Sequence, residues 1–297
     1  MQQRGRILLT GASGWFGQSF ISEFINYFGV ESLRRLIPVT SDGRSISHPM
    51  LSSRLQTITF KEASKLRNIQ EVIQASFLTR DKIQFLGAEK YSQECQLIIN
   101  YVSDIISKNP QSKVFLISSG AIYSDQSLYG KYKRIEEEVI QSKALSDTNI
   151  FRIFGATTKY MDFRKWSAIC GFIKTANLNQ DIKITSNYEI LRGIVCMEDL
   201  SRMIINMIDD ERRSFENNVI VDAVSDIVSI REIAIMCLGS KNRVLLPDKF
   251  DDTIIDTSYT GDPLLFRKLA SNYKINLKTP KQQIKNAKKN LYPGSYK

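Results

Sequence analysis

A tyrosine and a lysine lie four positions apart in SLYGKYKRIEEEVI, the segment that runs from Ser127 to Ile140. Residues at positions i and i+4 share one face of a helix, so the ammonium of Lys133 can approach the phenol of Tyr129. A phenol in water ionises near pH 10, and a nearby cation favours its phenolate form, which brings proton transfer towards neutral pH. Because the chain contains 12 tyrosines, a spacing of this kind is also expected by chance.

The segment before this helix ends in two serines. Val114–Ser118 (VFLIS) is a continuous apolar strand, as expected in a sheet that is covered on both faces, and Ser119 follows it. A buried strand that ends in two serines shortly before the helix favours a proton-transfer pair over a chance spacing of Tyr129 and Lys133.

Three glycines occupy the loop in LLTGASGWFGQSF, between a short apolar strand and an amphipathic helix. Such a loop lets the backbone approach a pyrophosphate, whose charge the N-terminus of the following helix stabilises. Its place after a strand and before a helix is the context that a dinucleotide site requires. The alternative is a glycine turn that binds no ligand. The predicted cofactor contacts are Gly11, Ser13, Gly14, Trp15, Phe16, Gly17, Ser41, Arg44, Ala75 and Lys133.

The stretch LIPVTSDGRS bears on which dinucleotide binds. Thr40 takes the strand-end position where an acidic residue would hold the ribose 2′-hydroxyl of NAD. Ser41 and Arg44 close behind it suit the additional phosphate of NADP, whereas Asp42 favours NAD. The predicted cofactor is therefore NADP or NAD, with the balance towards NADP.

Strands alternate with helices through the first half of the chain, which predicts an α/β fold with a Rossmann-type doubly wound parallel sheet. The predicted strands are Arg6–Thr10, Leu36–Thr40, Leu55–Phe60, Glu71–Ala75, Val114–Ser118 and Asn149–Phe154, and the predicted helices are Trp15–Phe28, Gly87–Lys108 and 127–140. After Gly155 the alternation loosens. We therefore expect an NAD(P)-binding domain over residues 1–155 and a smaller, mixed α/β substrate-binding region over 156–297, with some of its segments returning to the Rossmann sheet.

These motifs resemble those of the short-chain dehydrogenase/reductase superfamily. The matching stretches are TGxxGxxG at Thr10–Gly17, Ser-x-x-x-Tyr in SSGAIY and YxxxK in YGKYK. The later stretch LRGIVCMEDL resembles a signature of the extended branch, the NAD-dependent epimerase/dehydratase proteins that act on nucleotide sugars. The resemblance covers most of the chain and is weakest after about residue 225. It implies that Ser119 is the catalytic hydroxyl, Tyr129 the acid/base, and Lys133 the lysine that binds the cofactor ribose.

The resemblance also implies a substrate and a reaction. Arg192 matches the family arginine that contacts the diphosphate of a nucleotide-diphosphate sugar. Dehydratases and decarboxylating relatives carry acidic residues just after the catalytic hydroxyl, whereas this chain has Gly120, Ala121 and Ile122 there. Elimination is therefore disfavoured, and we predict a nucleotide-sugar epimerase or 4-keto reductase that transfers hydride at a sugar carbon. Relatives pair the helices that flank the fifth strand, so a homodimer is expected.

Three departures from the family pattern concern the same site. The helix asparagine of the family falls near Cys95, with Asn100 as the nearest alternative, which puts the usual proton relay in question. The loop after the fourth predicted strand reads QASFLT where the family commonly has His-x-Ala-Ala. The interval between Ser119 and Tyr129 is also shorter than usual.

Composition limits the remaining function classes. No apolar run approaches the length of about 20 residues needed to span a bilayer, and the first glycines precede any signal-peptide core, so a cytoplasmic protein without a membrane segment is expected. The four cysteines are widely spaced and the chain has one histidine, His48, so no metal site is expected.

Two other hypotheses stay open. The chain carries a net charge of +10, and seven lysines but no acidic residue lie between Lys274 and Lys297. We interpret this segment as a solvated tail and do not expect nucleic acid as a partner, because no pattern of interleaved aromatic residues accompanies the lysines. The alternatives are an NADP-dependent reductase of another small carbonyl compound, and a non-catalytic relative that binds RNA or a protein partner.

Overall fold

The computed structural model describes residues 5–124, 127–145, 147–162, 167–210 and 218–290. Its strands are β1 (Arg6–Thr10), β2 (Leu36–Val39), β3 (Ile69–Gln74), β4 (Lys113–Ser119), β5 (Thr148–Ile153), β6 (Gly155–Thr157), β7 (Ile182–Lys183), β8 (Tyr188–Cys196), β9 (Ile220–Ala223), β10 (Asp226–Ser229), β11 (Val244–Leu245) and β12 (Asp251–Asp256). Its helices are α1 (Trp15–Phe28), α2 (Phe60–Ala63), α3 (Lys82–Leu86), α4 (Ala88–Lys108), α5 (Leu128–Lys143), α6 (Ala168–Asn177), α7 (Met197–Asp209), α8 (Ile230–Leu238), α9 (Leu264–Asn272) and α10 (Pro280–Ala287). Short 3-10 helices cover Val30–Arg35, Gly120–Tyr123, Lys241–Arg243 and Lys288–Asn290.

The chain divides into two compact units. The first comprises Met1–Arg152 and Ser201–Val221, and the second comprises Ile153–Leu200 and Asp222–Lys297. The first unit is built on a six-stranded sheet of order β2-β1-β3-β4-β5-β9. Strand β1 is parallel to both β2 and β3, and β3 is parallel to β4. The prediction of an α/β fold with a Rossmann-type parallel sheet is confirmed.

Apolar side chains of the strands and helices hold this sheet together. One core cluster joins the strands to helices α2, α4 and α5, and its buried members are Leu8, Val39, Phe60, Ala63, Ile69, Val72, Val102, Ile105, Ile106, Val114, Leu116, Ile140 and Ile150. Helix α1 adds a row of phenylalanines at intervals of four residues. Phe20 and Phe24 in that row are fully buried, and full burial of a phenylalanine stabilises the fold by about 1.5–3 kcal/mol.

The predicted strand over Leu55–Phe60 is wrong. Leu55 and Ile58 each form one isolated bridge, to Ile46 and Val39 respectively, and no strand develops between them. Thr59 instead begins helix α2 as a capping box, in which its hydroxyl accepts from the backbone N–H of Glu62 while the Glu62 carboxylate accepts from the backbone N–H of Thr59. The capping box satisfies the first helical donors and fixes the start of the helix there.

The second unit contains a smaller, mixed sheet. Strand β8 lies between β10, which is antiparallel to it, and β12, which is parallel, and β6 also pairs in parallel with β8. Strands β7 and β11 form a separate parallel pair. Within the described ranges, no helix combines the length and hydropathy that crossing a bilayer requires.

Candidate active site

Helix α5 carries Tyr129 in its first turn, packed against the loop that follows Ser119. The helix begins at Leu128 because the hydroxyl of Ser127 accepts from the backbone N–H of Gly130 at 3.2 Å. A Cβ on Gly130 would lie 2.9 Å from the carbonyl carbon of Ala121 and closer still to its oxygen, so only glycine permits this approach. Glycine at this position therefore brings the first turn of α5 against the residues that follow Ser119.

Ser119 is the last residue of β4 and is almost fully buried. Its hydroxyl accepts from the backbone N–H of Ala121 at 3.2 Å and so caps the 3-10 turn over Gly120–Tyr123. Ser119 and Tyr129 thus lie on β4 and α5 of the first unit, with the 3-10 turn over Gly120–Tyr123 between them. Residues 125 and 126 of the shortened connection lie outside the described residues.

Lys133 points into the protein and is only 3% exposed. Its ammonium donates to the carbonyl oxygen of Ile117 at 3.0 Å and to Oε2 of Glu136 at 2.7 Å. It also lies 4.4 Å from the centroid of the Phe77 ring. An ammonium has three N–H donors, and the two hydrogen bonds engage two of them.

The lysine keeps its charge in this environment. Burial by itself lowers the pKa of Lys133, but the attraction and the hydrogen bond of the Glu136 carboxylate oppose it, and the pKa is raised overall. Burial likewise raises the pKa of Glu136, opposed by Lys133 and by a hydrogen bond from Gln74. Removing one partner of a buried ion pair costs about 3–5 kcal/mol because the other charge is left uncompensated.

A buried polar chain leads away from Glu136. Oε1 of Glu136 accepts from the side-chain amide of Gln74 at 2.7 Å, and Oε1 of Gln74 accepts from the hydroxyl of Thr10 at 2.6 Å. The Thr10 hydroxyl in turn accepts from the backbone N–H groups of Ala75 and Ser76. This series of hydrogen bonds therefore connects the lysine of α5 with the ends of β1 and β3, where the glycine loop begins.

Helix α4 contributes two protonated groups beside this pair. Cys95 is fully buried, burial raises the pKa of its thiol to about 11, and Glu136 and Lys133 both act on it electrostatically. Burial also raises the pKa of Tyr91, whose hydroxyl donates to the carbonyl oxygen of Leu78. Asn100 is exposed and bonded to Gln96. The thiol, and not Asn100, therefore lies close to Lys133.

Phe77 also contacts the catalytic-site candidates, although the sequence analysis did not predict a role for it. Its ring contacts the Lys133 ammonium, and its centroid is 6.3 Å from that of Tyr129 in an edge-on arrangement. It belongs to the QASFLT segment that departs from the family pattern. The aromatic ring thus adds a cation–π contact to the lysine, worth about 2 kcal/mol where the cation is desolvated.

The glycine loop has the geometry that a dinucleotide phosphate needs. Gly14 is the N-cap of α1 and offers no side chain to cap its first N–H groups, so these donors can receive an anion. A Cβ on Gly17 would lie 2.6 Å from the Cα of Ala12 and closer to the oxygen of Gly11. Trp15 and Phe16 begin the helix, and Ala75 lies beside Gly11 at the end of β3. The loop residues therefore fit a bound pyrophosphate.

A polar cavity of about 390 Å³ opens between the glycine loop and the end of β2. Its lining includes Ser13, Thr40, Ser41, Arg44 and Arg54. Asp42 also lines it, but Arg44 binds this carboxylate through its backbone N–H and its guanidinium, which lowers the pKa of Asp42. The acidic side chain that would hold a ribose hydroxyl is therefore already paired with an arginine.

Glu137, the neighbour of Glu136, has a different environment. Its carboxylate accepts from the hydroxyl of Ser118 at 2.5 Å and from the guanidinium of Arg152 at 2.8 Å. Arg152 also donates to the hydroxyl of Tyr123 at 2.8 Å. These bonds tie α5 to β4 and β5, which holds the helix that carries Tyr129 in place.

Arg192 lies in the second unit, on β8. Its guanidinium is 3.5 Å from the carboxylate of Asp256, and it is partly exposed. Two acidic residues near Arg192 in sequence have other partners: Glu189 pairs with Arg231, and Glu198 accepts from Thr158. The guanidinium also donates to the carbonyl oxygen of Leu191 at 2.7 Å, so an ion pair and a hydrogen bond hold Arg192 on β8.

Solved structures of UDP-sugar 4-epimerases match almost the whole chain. The UDP-glucose 4-epimerase of Brucella ovis, in complex with NAD, is 16% identical with a TM-score of 0.69, over 96% of this chain and 97% of that chain. The UDP-N-acetylglucosamine 4-epimerase of Methanobrevibacter ruminantium, in complex with UDP-N-acetylmuramic acid, is 16% identical with a TM-score of 0.72, over 97% and 98%. That of Bacillus cereus is 14% identical with a TM-score of 0.66, over 96% and 94%. The chain has the fold of nucleotide-sugar epimerases.

No family model and no curated protein sequence matches the chain. The solved structures confirm the motif resemblance to the extended short-chain dehydrogenases/reductases at the level of the fold.

The first unit brings together the glycine loop, the polar cavity and the helix that carries Tyr129 and Lys133. Sequence reasoning missed Glu136, Gln74 and Phe77, although the spacing of Lys133 and Glu136, three residues apart, was a signal for an ion pair. Within the described part of the chain, no cluster of three or more His, Cys, Asp or Glu is arranged to hold a metal ion.

Proposed function

We propose that this protein is an NAD(P)-dependent enzyme that moves a hydride at a sugar carbon of a nucleotide-diphosphate sugar, as a 4-epimerase. The observation that supports it most is the placement of Tyr129 and Lys133 on one helix, against the loop after Ser119, in the unit that also holds the glycine loop. The epimerase fold of the whole chain agrees with this reaction class.

Ser119, Tyr129 and Lys133 then each have a chemical role. A bound nicotinamide dinucleotide supplies the acceptor and donor of the hydride. Tyr129 removes the proton of the sugar hydroxyl as the carbon is oxidised, and returns it when the ketone is reduced. Ser119 donates a hydrogen bond to the same oxygen, and the cation of Lys133 favours the phenolate of Tyr129. Gly120–Ile122 provide no carboxylate for an elimination.

Incubation with UDP-hexoses tests this function. We expect formation of the carbon-4 epimer without added reductant, together with a nicotinamide dinucleotide in the mass spectrum of the purified protein, because an epimerase must retain its hydride between the two half-reactions. Absence of both an epimer and a bound dinucleotide would count against the proposal.

A second candidate, an NADPH-dependent 4-keto reductase, is favoured by the cavity at the end of β2. Arg44, Arg54 and several hydroxyls line it, and the neighbouring Asp42 is already paired with Arg44. Such a lining suits the 2′-phosphate of NADP, which guanidinium groups bind well. A reductase releases its oxidised cofactor after each turnover, so an exchangeable NADPH in the purified protein would support this candidate.

Substitution of Arg44 by alanine tests the preference for NADP. We expect the Kd for NADPH to rise about tenfold, the equivalent of one charge-assisted hydrogen bond, while the Kd for NADH stays the same or falls because Asp42 is released to bind the ribose. Isothermal titration with both dinucleotides measures this difference. Equal changes for the two dinucleotides would exclude a phosphate contact by Arg44.

Arg192 is proposed to contact the substrate diphosphate. Arg192→Ala should raise the KM for a UDP-sugar by about tenfold and change kcat less, because the diphosphate is bound equally in the ground state and the transition state. Asp256→Asn is the matched control, since it removes the ion-pair partner but keeps the guanidinium. If both variants raise KM alike, the ion pair is structural and Arg192 does not bind substrate.

We also propose a homodimer in which α4 and α5 of two copies pair. Helix α4 exposes Leu97 by 45%, an apolar side chain that such pairing would bury. Light scattering at micromolar concentration should give twice the chain mass of 34.0 kDa. A monomer under those conditions would contradict the proposal.

The same experiments also test the two other hypotheses, a reductase of another small carbonyl compound and a non-catalytic protein that binds RNA or a partner. Reduction of small ketones but of no nucleotide sugar would favour a general carbonyl reductase. A salt-dependent shift of an RNA probe that Tyr129→Phe leaves unchanged would favour a nucleic-acid-binding protein. Two lysines of the basic segment are already engaged within the second unit, since Lys278 binds Asp199 and Lys288 binds the carbonyl oxygen of Cys237. Residues 291–297, including Lys297, lie outside the described residues.

A further inference from the structure

His48 is the one histidine of the chain, and its side chain is only 3% exposed. It lies in the connection between β2 and α2, and the proposed reaction does not use it. We propose that His48 is a positioning residue for the dinucleotide: it fastens residues 45–55 (the 45–55 loop) to helix α1 and so holds one wall of the polar cavity at the end of β2. The proposal rests on the proposed binding of an NADP-type dinucleotide in that cavity.

Both ring nitrogens of His48 are engaged. Nε2 lies 3.1 Å from the carbonyl oxygen of Gln18 in α1, and Nδ1 accepts from the backbone N–H of Met50 at 3.3 Å. Because Nδ1 accepts, the ring hydrogen lies on Nε2, which donates to Gln18. The hydroxyl of Ser22, one turn further along α1, donates to Sδ of Met50 at 3.0 Å. The 45–55 loop is therefore joined to α1 at two successive turns of the helix.

Hydrogen bonds also close the 45–55 loop on itself. The backbone N–H of Ile46 donates to the carbonyl oxygen of Leu55 at 2.9 Å, and that of Leu55 donates to the carbonyl oxygen of Ile46 at 2.8 Å. The guanidinium of Arg54 donates to the hydroxyl of Ser45 at 2.9 Å and also to the carbonyl oxygen of that residue. Arg54 thus has a fixed place within the loop, so its position depends on where the loop is held.

The two sides of this fastening are also two walls of the polar cavity. Gln18 lines the cavity from α1, whereas Ser47 and Arg54 line it from the 45–55 loop. Guanidinium and hydroxyl groups are suitable donors to a phosphate. The bond from His48 to Gln18 joins the two walls and so determines their separation. Without that bond, the donors of the loop lose their alignment towards a 2′-phosphate, which only NADP carries.

Two amide substitutions of His48 test this role. Glutamine places a donor near the position of Nε2 and keeps the bond to Gln18, whereas the shorter asparagine replaces only Nδ1 and loses it. For His48→Asn we expect the Kd for NADPH to rise about tenfold and that for NADH by less than about threefold. His48→Gln should stay within about threefold of the wild type for both. An unchanged Kd for NADPH in His48→Asn, or a wild type that binds NADH but no NADPH, would overturn the proposal.

Ser112→Ala is the control for a general loss of stability. Ser112 is also buried, and its hydroxyl donates to the carbonyl oxygen of Ile69 at 2.5 Å. Ile69 begins β3, whereas the glycine loop lies beside the other end of that strand. This variant should unfold at lower denaturant concentration and bind both dinucleotides like the wild type. If it raises both Kd values as much as His48→Asn does, His48 has no positioning role.

Amide hydrogen exchange of the free protein tests the fastening without any ligand. The backbone N–H of Leu51 donates to the carbonyl oxygen of His48 at 3.0 Å, and those of Ile46 and Leu55 are bonded within the loop. These amides should exchange faster in His48→Asn than in His48→Gln, because local opening exposes them more often. Equal exchange in the two variants would overturn the proposal. A wild type that binds no dinucleotide would refute the proposed function, while the exchange rates would still decide whether His48 holds the loop.

Discussion

Replacement of Tyr129 by phenylalanine is expected to lower the turnover of a nucleotide sugar by about 10²–10⁴-fold, the range that a positioned acid/base contributes. The variant keeps the ring, so its contact with Phe77 at 6.3 Å between centroids is retained and the fold is undisturbed. Only the hydroxyl that exchanges the proton is lost. Because the glycine loop is untouched, the Kd for the dinucleotide should stay within a factor of about two.

Tyr132→Phe is the matched control, since it removes the same hydroxyl from the same helix one turn further on. This variant should turn over like the wild type. Steady-state kinetics of both variants, with dinucleotide titration alongside, separate a loss of chemistry from a loss of binding. Full activity in Tyr129→Phe would end the assignment of this residue as acid/base.

Replacement of Gly17 by alanine is expected to abolish dinucleotide binding and to destabilise the first unit. The added Cβ would meet backbone atoms of Gly11 and Ala12, which cannot move aside as a side chain can. Overpacking of this kind costs about 1–3 kcal/mol, and more where backbone has to shift. The shift would move the N-terminus of α1 away from the strand, so the phosphate-binding N–H groups would lose their alignment.

Gly171→Ala provides the contrast. Gly171 lies in α6, is exposed, and a Cβ there meets nothing within 4 Å. Alanine in a helix interior is more favourable than glycine by about 0.5–1 kcal/mol, so this variant should unfold at slightly higher denaturant concentration and bind dinucleotide normally. Equal stability and equal binding in Gly17→Ala and Gly171→Ala would contradict the close packing of the loop.

The sequence predicted the elements with strong local signals well. The strand Arg6–Thr10 and the helix Trp15–Phe28 have the same bounds in the structure, because the glycine loop separates a short apolar run from an amphipathic one. The strand over Leu55–Phe60 was predicted from its apolar residues alone. Thr59 and Glu62 form a capping box there, and the T-x-x-E spacing was visible in the sequence.

The positions of Ser119, Tyr129 and Lys133 were predictable because these residues lie on one strand end and one helix. The buried hydrogen bonds among Glu136, Gln74 and Thr10 could not be predicted, because each of them joins residues more than 60 positions apart in the sequence. The same applies to Arg192, whose partner Asp256 lies 64 residues away. Contacts of this kind follow from the sheet order, which sequence spacing does not contain.

The stereochemical course of the reaction tests the central claim most directly. The purified protein is incubated with UDP-glucose carrying deuterium at carbon 4, and the products are analysed by mass spectrometry and NMR. The account predicts the carbon-4 epimer with the deuterium still on carbon 4, formed by the wild type and about 10²–10⁴-fold more slowly by Tyr129→Phe. Loss of the label to solvent in the epimer, or no epimer from a protein that binds the dinucleotide, would contradict it.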